Sequence, residues 1–185
     1  MNNRRALLTR EKILIKAREL VAREGVTHLT IEKVAKEAEI SKGGLLYHFS
    51  SKEALIQAMI DDMLKRSNQE IEEKLLSDDT ADSSQWFQAF IHTTFDEFGR
   101  KDLISPGLLS ILLANPELIE TWRNTYDGWT ENIEKESDNL IIATIVRLAC
   151  EGLWFTDMLG FSPVEGASRQ QVLETLLDLS KRENL

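Results

Sequence analysis

The side chains able to do chemistry in this 185-residue chain form two groups of different kind. One is compact: Lys42, Tyr47 and His48 surround Gly43 and Gly44, with Thr30 and Ser41 upstream and Lys52 downstream. An ammonium, a phenol and an imidazole beside two residues that let a backbone come close suit phosphates and base edges. The other group is dispersed along the second half: Trp86, Phe90, Trp122, Tyr126, Trp129 and Trp154, joined by Asp157 one turn after Trp154. Aromatic faces attract cations, and a carboxylate supplies the countercharge that a desolvated cation needs. Neither group is catalytic in type. His28, His48 and His92 are the only histidines and fall on separate elements, with no carboxylate pair, nucleophile elbow or phosphate loop beside them. No catalytic residue, cofactor or metal site is assigned, and the single cysteine, Cys150, leaves no disulfide framework or thiolate cluster to form.

The compact group needs two short helices to hold it. Ile31, Val34, Ala35 and Ala38 recur at helical spacing after Thr30, which can cap the first; Glu39-Ile40 is too short for a linker, and Ser41 can cap a second. Two helices across a tight turn are a helix-turn-helix pattern. Within the second, each interior glycine costs about 1 kcal/mol relative to alanine, which close approach to another surface would offset. Leu46 and Phe49 are expected in a small core with Ile13, Val34 and Ala35, which turns Lys42, Gly43, Gly44, Tyr47 and His48 outward. The alternative is a glycine-rich loop between ordinary core helices. A helix over Thr9–Glu24, ended by Gly25, supports the motif, with Arg4, Arg5 and Arg10 either reaching a DNA backbone as an arm or simply solvated.

Leu29-Thr30-Ile31, Val34-Ala35, Ala38, Ile40-Ser41-Lys42-Gly43, Leu46-Tyr47-His48-Phe49 and Lys52-Glu53-Ala54-Leu55 together resemble the DNA-binding domain of TetR-family transcriptional regulators. The resemblance covers about the first third of the chain. It implies that the positions of Thr30, Ser41, Lys42, Gly43, Gly44, Tyr47, His48 and Lys52 touch double-stranded operator DNA, the aromatic and its successor mainly at phosphates. It further implies a homodimer whose terminal helices pair with their copies, and a small-molecule effector. Ser50 departs from the proline common there; Ser50 and Glu53 stand at capping-box spacing for the next helix.

Charge points the same way. The chain carries a net charge of -9, yet residues 1–52 hold 11 Lys+Arg against 6 Asp+Glu, so a basic head precedes an acidic remainder. A hydrophobic fraction of 42%, only 9 glycines and 3 prolines, and no alternating strand pattern predict an all-α fold of about nine helices. The expected organisation is a head of residues 1–52, a long linking helix over 51–76 and a ligand-binding and dimerisation body of 77–185. No apolar run is long enough to cross a bilayer, and a cytoplasmic protein with no membrane partner is expected.

In the body, Ser77–Ser84 reads as a polar joint, followed by a stripe of Phe87, Ile91, Phe95 and Phe98 that Gly99 ends. Pro106-Gly107 opens a short apolar segment, Leu108–Ala114, and Pro116 starts a helix presenting Leu118, Trp122, Tyr126, Trp129 and Ile133. The aromatic residues are either core or the lining of an effector cavity. A cation partnered by Asp157 is one expectation; its alternative is that Asp157 is solvated or paired with an arginine such as Arg123 or Arg147. The last helices, Asn139–Leu159 and Ser168–Lys181, flank a Gly160–Gly166 connection, and Ile141, Ile145, Ala149, Gly152 and Thr156 form a narrow face suited to close helix approach. The expected activity is a repressor released from a palindromic operator by an aromatic or lipophilic effector. A helical interaction adaptor and a small-molecule-binding enzyme are the alternatives.

Overall fold

Residues with little glycine or proline and a 3.6-residue apolar period can satisfy their backbone only within themselves, as helices. The computed structural model describes residues 2–77, 85–96, 109, 112, 115–161 and 164–181, and among these there is no strand. Its helices are α1 (Asn2–Glu24), α2 (Ile31–Glu37), α3 (Lys42–His48), α4 (Lys52–Ser77), α5 (Gln85–Asp96), α6 (Pro116–Glu136), α7 (Leu140–Leu159) and α8 (Gly166–Ser180), with a 3-10 turn over Val26–His28. The fold is all-α, as expected. No helix among the described residues is long and apolar enough to cross a membrane. The expected joint beyond Ser77, Phe98, Gly99, Pro106-Gly107 and Ser162-Pro163 lie outside the described residues. Of Leu108–Ala114 only Leu109 and Leu112 are described, both helical.

Two compact units emerge, one from the described residues of 1–64 and 102–121, the other from those of 65–101 and 122–185. Helix α4 gives residues 52–64 to the first and 65–77 to the second.

The first unit is built on the apolar faces of α1, α2 and α3. Ile13, Leu14, Ala17, Leu20, Val21, Val34, Ala35, Leu45 and Phe49 are buried, joined by Leu55, Met59 and Ile60 of α4. Helix α1 begins seven residues before the expected Thr9, since nothing between Asn2 and Thr9 breaks a helix. Arg4 and Arg5 therefore lie on a helix and form no arm, and Arg10 stands over the Phe49 ring, 5.1 Å from its centre. Arg18, placed in the middle of the apolar face of α1, is buried and ion-paired with Asp62 of α4. A charge in that stripe was the available signal for a buried partner.

In the second unit Phe87, Ile91 and Phe95 of α5, Ile133 of α6, Ile142, Val146, Cys150 and Leu153 of α7, Leu176 of α8 and Ile71 of α4 form one core. Helix α7 opens with Asn139 accepting the Ile142 N–H at 3.2 Å and closes at Gly160, whose φ of 68° lets Phe161 N–H donate back to Thr156 O at 2.9 Å. Desolvation pushes the Cys150 thiol up to about 12, so it stays protonated and belongs to the packing.

Candidate nucleic-acid interface and aromatic cluster

Three local caps set the direction of the helix-turn-helix. Thr30 Oγ1 accepts the Lys33 N–H at 3.2 Å, and Ser41 Oγ accepts the Gly44 N–H at 3.0 Å. Ser51, one residue later than the expected Ser50, accepts the Ala54 N–H at 3.1 Å and opens α4. Its neighbour Glu53 accepts from its own backbone and from Ser51, which lowers its pKa. Between α2 and α3 the chain turns through Glu39 at φ 56°, a left-handed conformation usually left to glycine or asparagine. Ile40 N–H then bonds back to Ala35 O at 2.9 Å.

The turn rotates α3 by one residue relative to expectation. Leu45 is fully buried and Leu46 is 37% exposed, so the core pair is Leu45 and Phe49 at i, i+4 in place of Leu46 and Phe49. A seven-residue helix carries too few apolar positions for periodicity to fix its phase. The outward set nevertheless stands: Ser41, Lys42 and Gly43 are exposed, Tyr47 is 84% exposed, and Gly44 and His48 are intermediate. Tyr47 and His48 meet edge to face at 5.3 Å. The two glycines differ in their reason. A Cβ on Gly44 would stand 3.2 Å from the Ser41 cap oxygen, whereas one on Gly43 would meet nothing within 4 Å. Gly44 thus serves the cap, and only Gly43 leaves open space on the outward face.

Most charges of this unit neutralise one another. Lys12 pairs with Glu39, Lys16 with Glu19, Arg23 with Glu24 and Glu37, Lys33 with Glu24, and Lys42 with Glu32. Among the described residues Arg4, Arg5, Arg10, Lys36 and Lys52 are in no ion pair.

In the second unit the dispersed aromatic residues come together. Ring contacts run from Trp86 to Phe90 (5.8 Å), Phe90 to Trp129 (5.7 Å), Trp129 to Tyr126 (5.1 Å), Tyr126 to Trp122 (6.0 Å) and Trp122 to Trp154 (6.2 Å). All six expected aromatic residues form one ladder across α5, α6 and α7. Phe90 is buried and the other five are partly exposed. Two polar contacts absent from the sequence reading hold it: Trp129 Nε1 donates to Asn68 Oδ1 at 2.6 Å, and Glu136 accepts the N–H groups of Trp86 and Phe87 at 3.2 and 2.9 Å. The second caps the start of α5 from the end of α6, across some fifty residues of chain, and no local pattern announces it.

Asp157 is paired with an arginine. Its Oδ2 accepts from Arg169 at 2.8 Å, and Arg169 also donates to the carbonyls of Val164 and Phe95 (3.3 Å each) and covers the Phe95 ring at 5.2 Å. The paired arginine is neither Arg123 nor Arg147, and the second carboxylate oxygen, Asp157 Oδ1, is buried without a hydrogen-bond partner among the described residues. On α7, Ile141, Ile145, Leu148 and Phe155 are exposed, as are Ala149 and Gly152, which gives the helix an apolar face open among the described residues.

The comparisons with known proteins bear on both units. Residues 13–59 match the family described as bacterial regulatory proteins, tetR family, and residues 84–181 match the tetracyclin repressor-like C-terminal domain. The chain is 29% identical over 123 residues to the HTH-type transcriptional regulator UidR of Escherichia coli K12, covering 66% of this chain and 61% of that protein. It is 29% identical over 121 residues to the HTH-type transcriptional repressor NemR of the same organism, covering 64% and 60%. The matches thus span about three fifths of these relatives' lengths. Among solved structures, a TetR transcription regulator from Haloarcula marismortui superposes with a TM-score of 0.73 at 16% identity, covering 93% of this chain and 96% of the other. Salmonella enterica GusR superposes with a TM-score of 0.67 at 19% identity, covering 95% and 97%. At such identities the structures speak for the fold alone.

Proposed function

Because the chain belongs to the TetR family of bacterial regulatory proteins, we propose that it is a homodimeric transcriptional repressor. In this reading the head of residues 1–52 holds double-stranded operator DNA, the helix over 51–76 links it to the body of residues 77–185, and the body takes an aromatic, lipophilic effector of small size. The observation that carries the reading is α3 itself. Its buried side, Leu45 and Phe49, is spent on the core, and its other side offers Lys42, the open Gly43, the exposed Tyr47 and His48. Tyr47 and His48 suit phosphates and so position the helix; Lys42 and the bare backbone at Gly43 allow approach to base edges. Thr30, Ser41, Gly44 and Lys52 contribute at the helix starts.

Each head has a single recognition helix, so a palindromic site requires two copies, and the open apolar face of α7 supports their pairing. The effector site is assigned to the ladder of Trp86, Phe90, Trp122, Tyr126, Trp129 and Trp154. Asp157 already has one partner in Arg169, so the reading names no charge for the effector. An effector that binds better to the dimer form with the wrong spacing between recognition helices shifts the population off DNA.

The test is selection of a binding site from a random duplex pool, followed by mobility shift. Lys42→Ala and Tyr47→Phe are expected to weaken specific binding by up to about 1–3 kcal/mol with unchanged helicity. Enrichment of no sequence, or full affinity in both variants, would remove the proposed interface. Ile145→Glu is expected to give a monomer in sedimentation equilibrium and a loss of palindrome binding. Lipophilic aromatic compounds should quench tryptophan emission and release the selected duplex together.

A further inference from the structure

Lys42 opens α3, the helix read as meeting DNA, and its charge partner lies on the preceding helix. Lys42 Nζ lies 2.5 Å from Glu32 Oε1, and both side chains are more than half exposed. Glu32 stands in the first turn of α2 and Lys42 in the first turn of α3, so the pair bridges the two helices at their N-termini, on the side that carries Thr30, Ser41 and Gly43. Glu32 is well held there. It accepts from Lys42 and from its own backbone N–H, both of which lower its pKa, and the first turn of a helix favours an anion. The lysine on the outward face thus meets DNA with a carboxylate already on it, unlike Lys36 and Lys52 nearby.

We propose that Glu32 is a specificity-determining residue of the DNA interface, acting through Lys42 as an intramolecular stand-in for phosphate. This rests on the reading of α3 as the DNA-binding helix. On DNA of the wrong sequence Lys42 gains little by leaving Glu32 for a phosphate, and the carboxylate left behind faces the polyanion. On the operator the remaining contacts of α3 bring the lysine to its place and offset that repulsion. The device lowers affinity for all DNA and lowers it most where sequence contacts are missing. It differs from a direct reading role, in which a carboxylate accepts from a cytosine amino group.

The experiment measures the full chain and Glu32→Gln, a variant of equal size that keeps a weaker acceptor, on two probes. One is the selected duplex; the other is a random-sequence duplex of about three helical turns, roughly 30 base pairs. Glu32→Gln is expected to bind the random duplex about 3–10-fold more tightly and the selected one by a smaller factor, with a log-log salt slope on random DNA steeper by about one, since one more phosphate is then neutralised without a nearby carboxylate. In a Lys42→Ala background the same substitution should lose most of this effect, which a purely structural role of Glu32 would not produce. Unchanged random-duplex affinity and slope in Glu32→Gln overturns the proposal, as does an equal gain with and without Lys42. Loss of selected-duplex binding traced to one base pair would make Glu32 a direct reader and overturns it as well. If the wild-type chain retards neither probe, the DNA-binding reading itself falls; wild-type binding with an unresponsive Glu32→Gln defeats this inference alone.

Discussion

The two units hold their candidate residues by opposite means. In the first, Lys42, Gly43, Tyr47 and His48 belong to one seven-residue helix and are turned outward by their immediate neighbours: two caps, Thr30 and Ser41, and two core residues, Leu45 and Phe49. In the second, six aromatic residues from three helices are held by one another and by polar partners far away in sequence, Asn68 and Glu136. A surface that recognises an external polymer needs side chains free of the interior, so local geometry suffices to present it. A cluster that would receive a small molecule needs walls from several elements, and these exist only when the whole unit has folded.

The comparison can be broken most sharply at Leu45. Leu45→Ala is expected to destabilise the chain by about 2–5 kcal/mol and Leu46→Ala by under about 1 kcal/mol, read from urea unfolding. Equal effects would mean that the outward face of α3 is set differently from the arrangement described. In the second unit, Glu136→Ala leaves the amides of Trp86 and Phe87 without their acceptor. A loss of about 1–2 kcal/mol, with a shifted tryptophan emission and unaltered Lys42–His48 exposure to proteolysis, would show that the ladder depends on this remote cap. No loss would show that packing alone starts α5. The smallest effect is expected at the turn between α2 and α3. Glu39→Gly and Glu39→Ala both remove the exposed pair with Lys12, but only glycine is relaxed at φ 56°, so the glycine variant should be the more stable of the two by about 1 kcal/mol. Parity between them in thermal unfolding would remove the strain assigned to Glu39.

Much of the first unit was legible because its signals are short in range. The caps at Thr30 and Ser41 and the tight turn between them depend on residues at most a few positions apart. The phase of α3 was not, because Leu45-Leu46 offers two adjacent leucines and the choice between them is made by how α3 packs on the rest of its unit, α2 above all. In the second unit the aromatic residues were legible as a set by type, since six large rings in helices of few glycines must meet something. Asp157 shows the other limit. Its place beside Trp154 suggested a countercharge for a ligand, whereas the chain brings in Arg169, twelve residues later and on the next helix.

By itself the sequence determined the helical character of the chain, the helix-turn-helix, the outward chemistry of Lys42, Tyr47 and His48 and the family, because periodicity, caps and glycines act within a turn or two of helix. Only the tertiary structure decided which leucine enters the core, that Glu32 sits on Lys42, that Glu136 caps α5, and that Asp157 is paired within its own unit. Each of these is a pairing between elements. Charge and hydrogen-bond partners that lie 10 to 50 residues apart are chosen by how helices pack, and neither composition nor spacing carries that information.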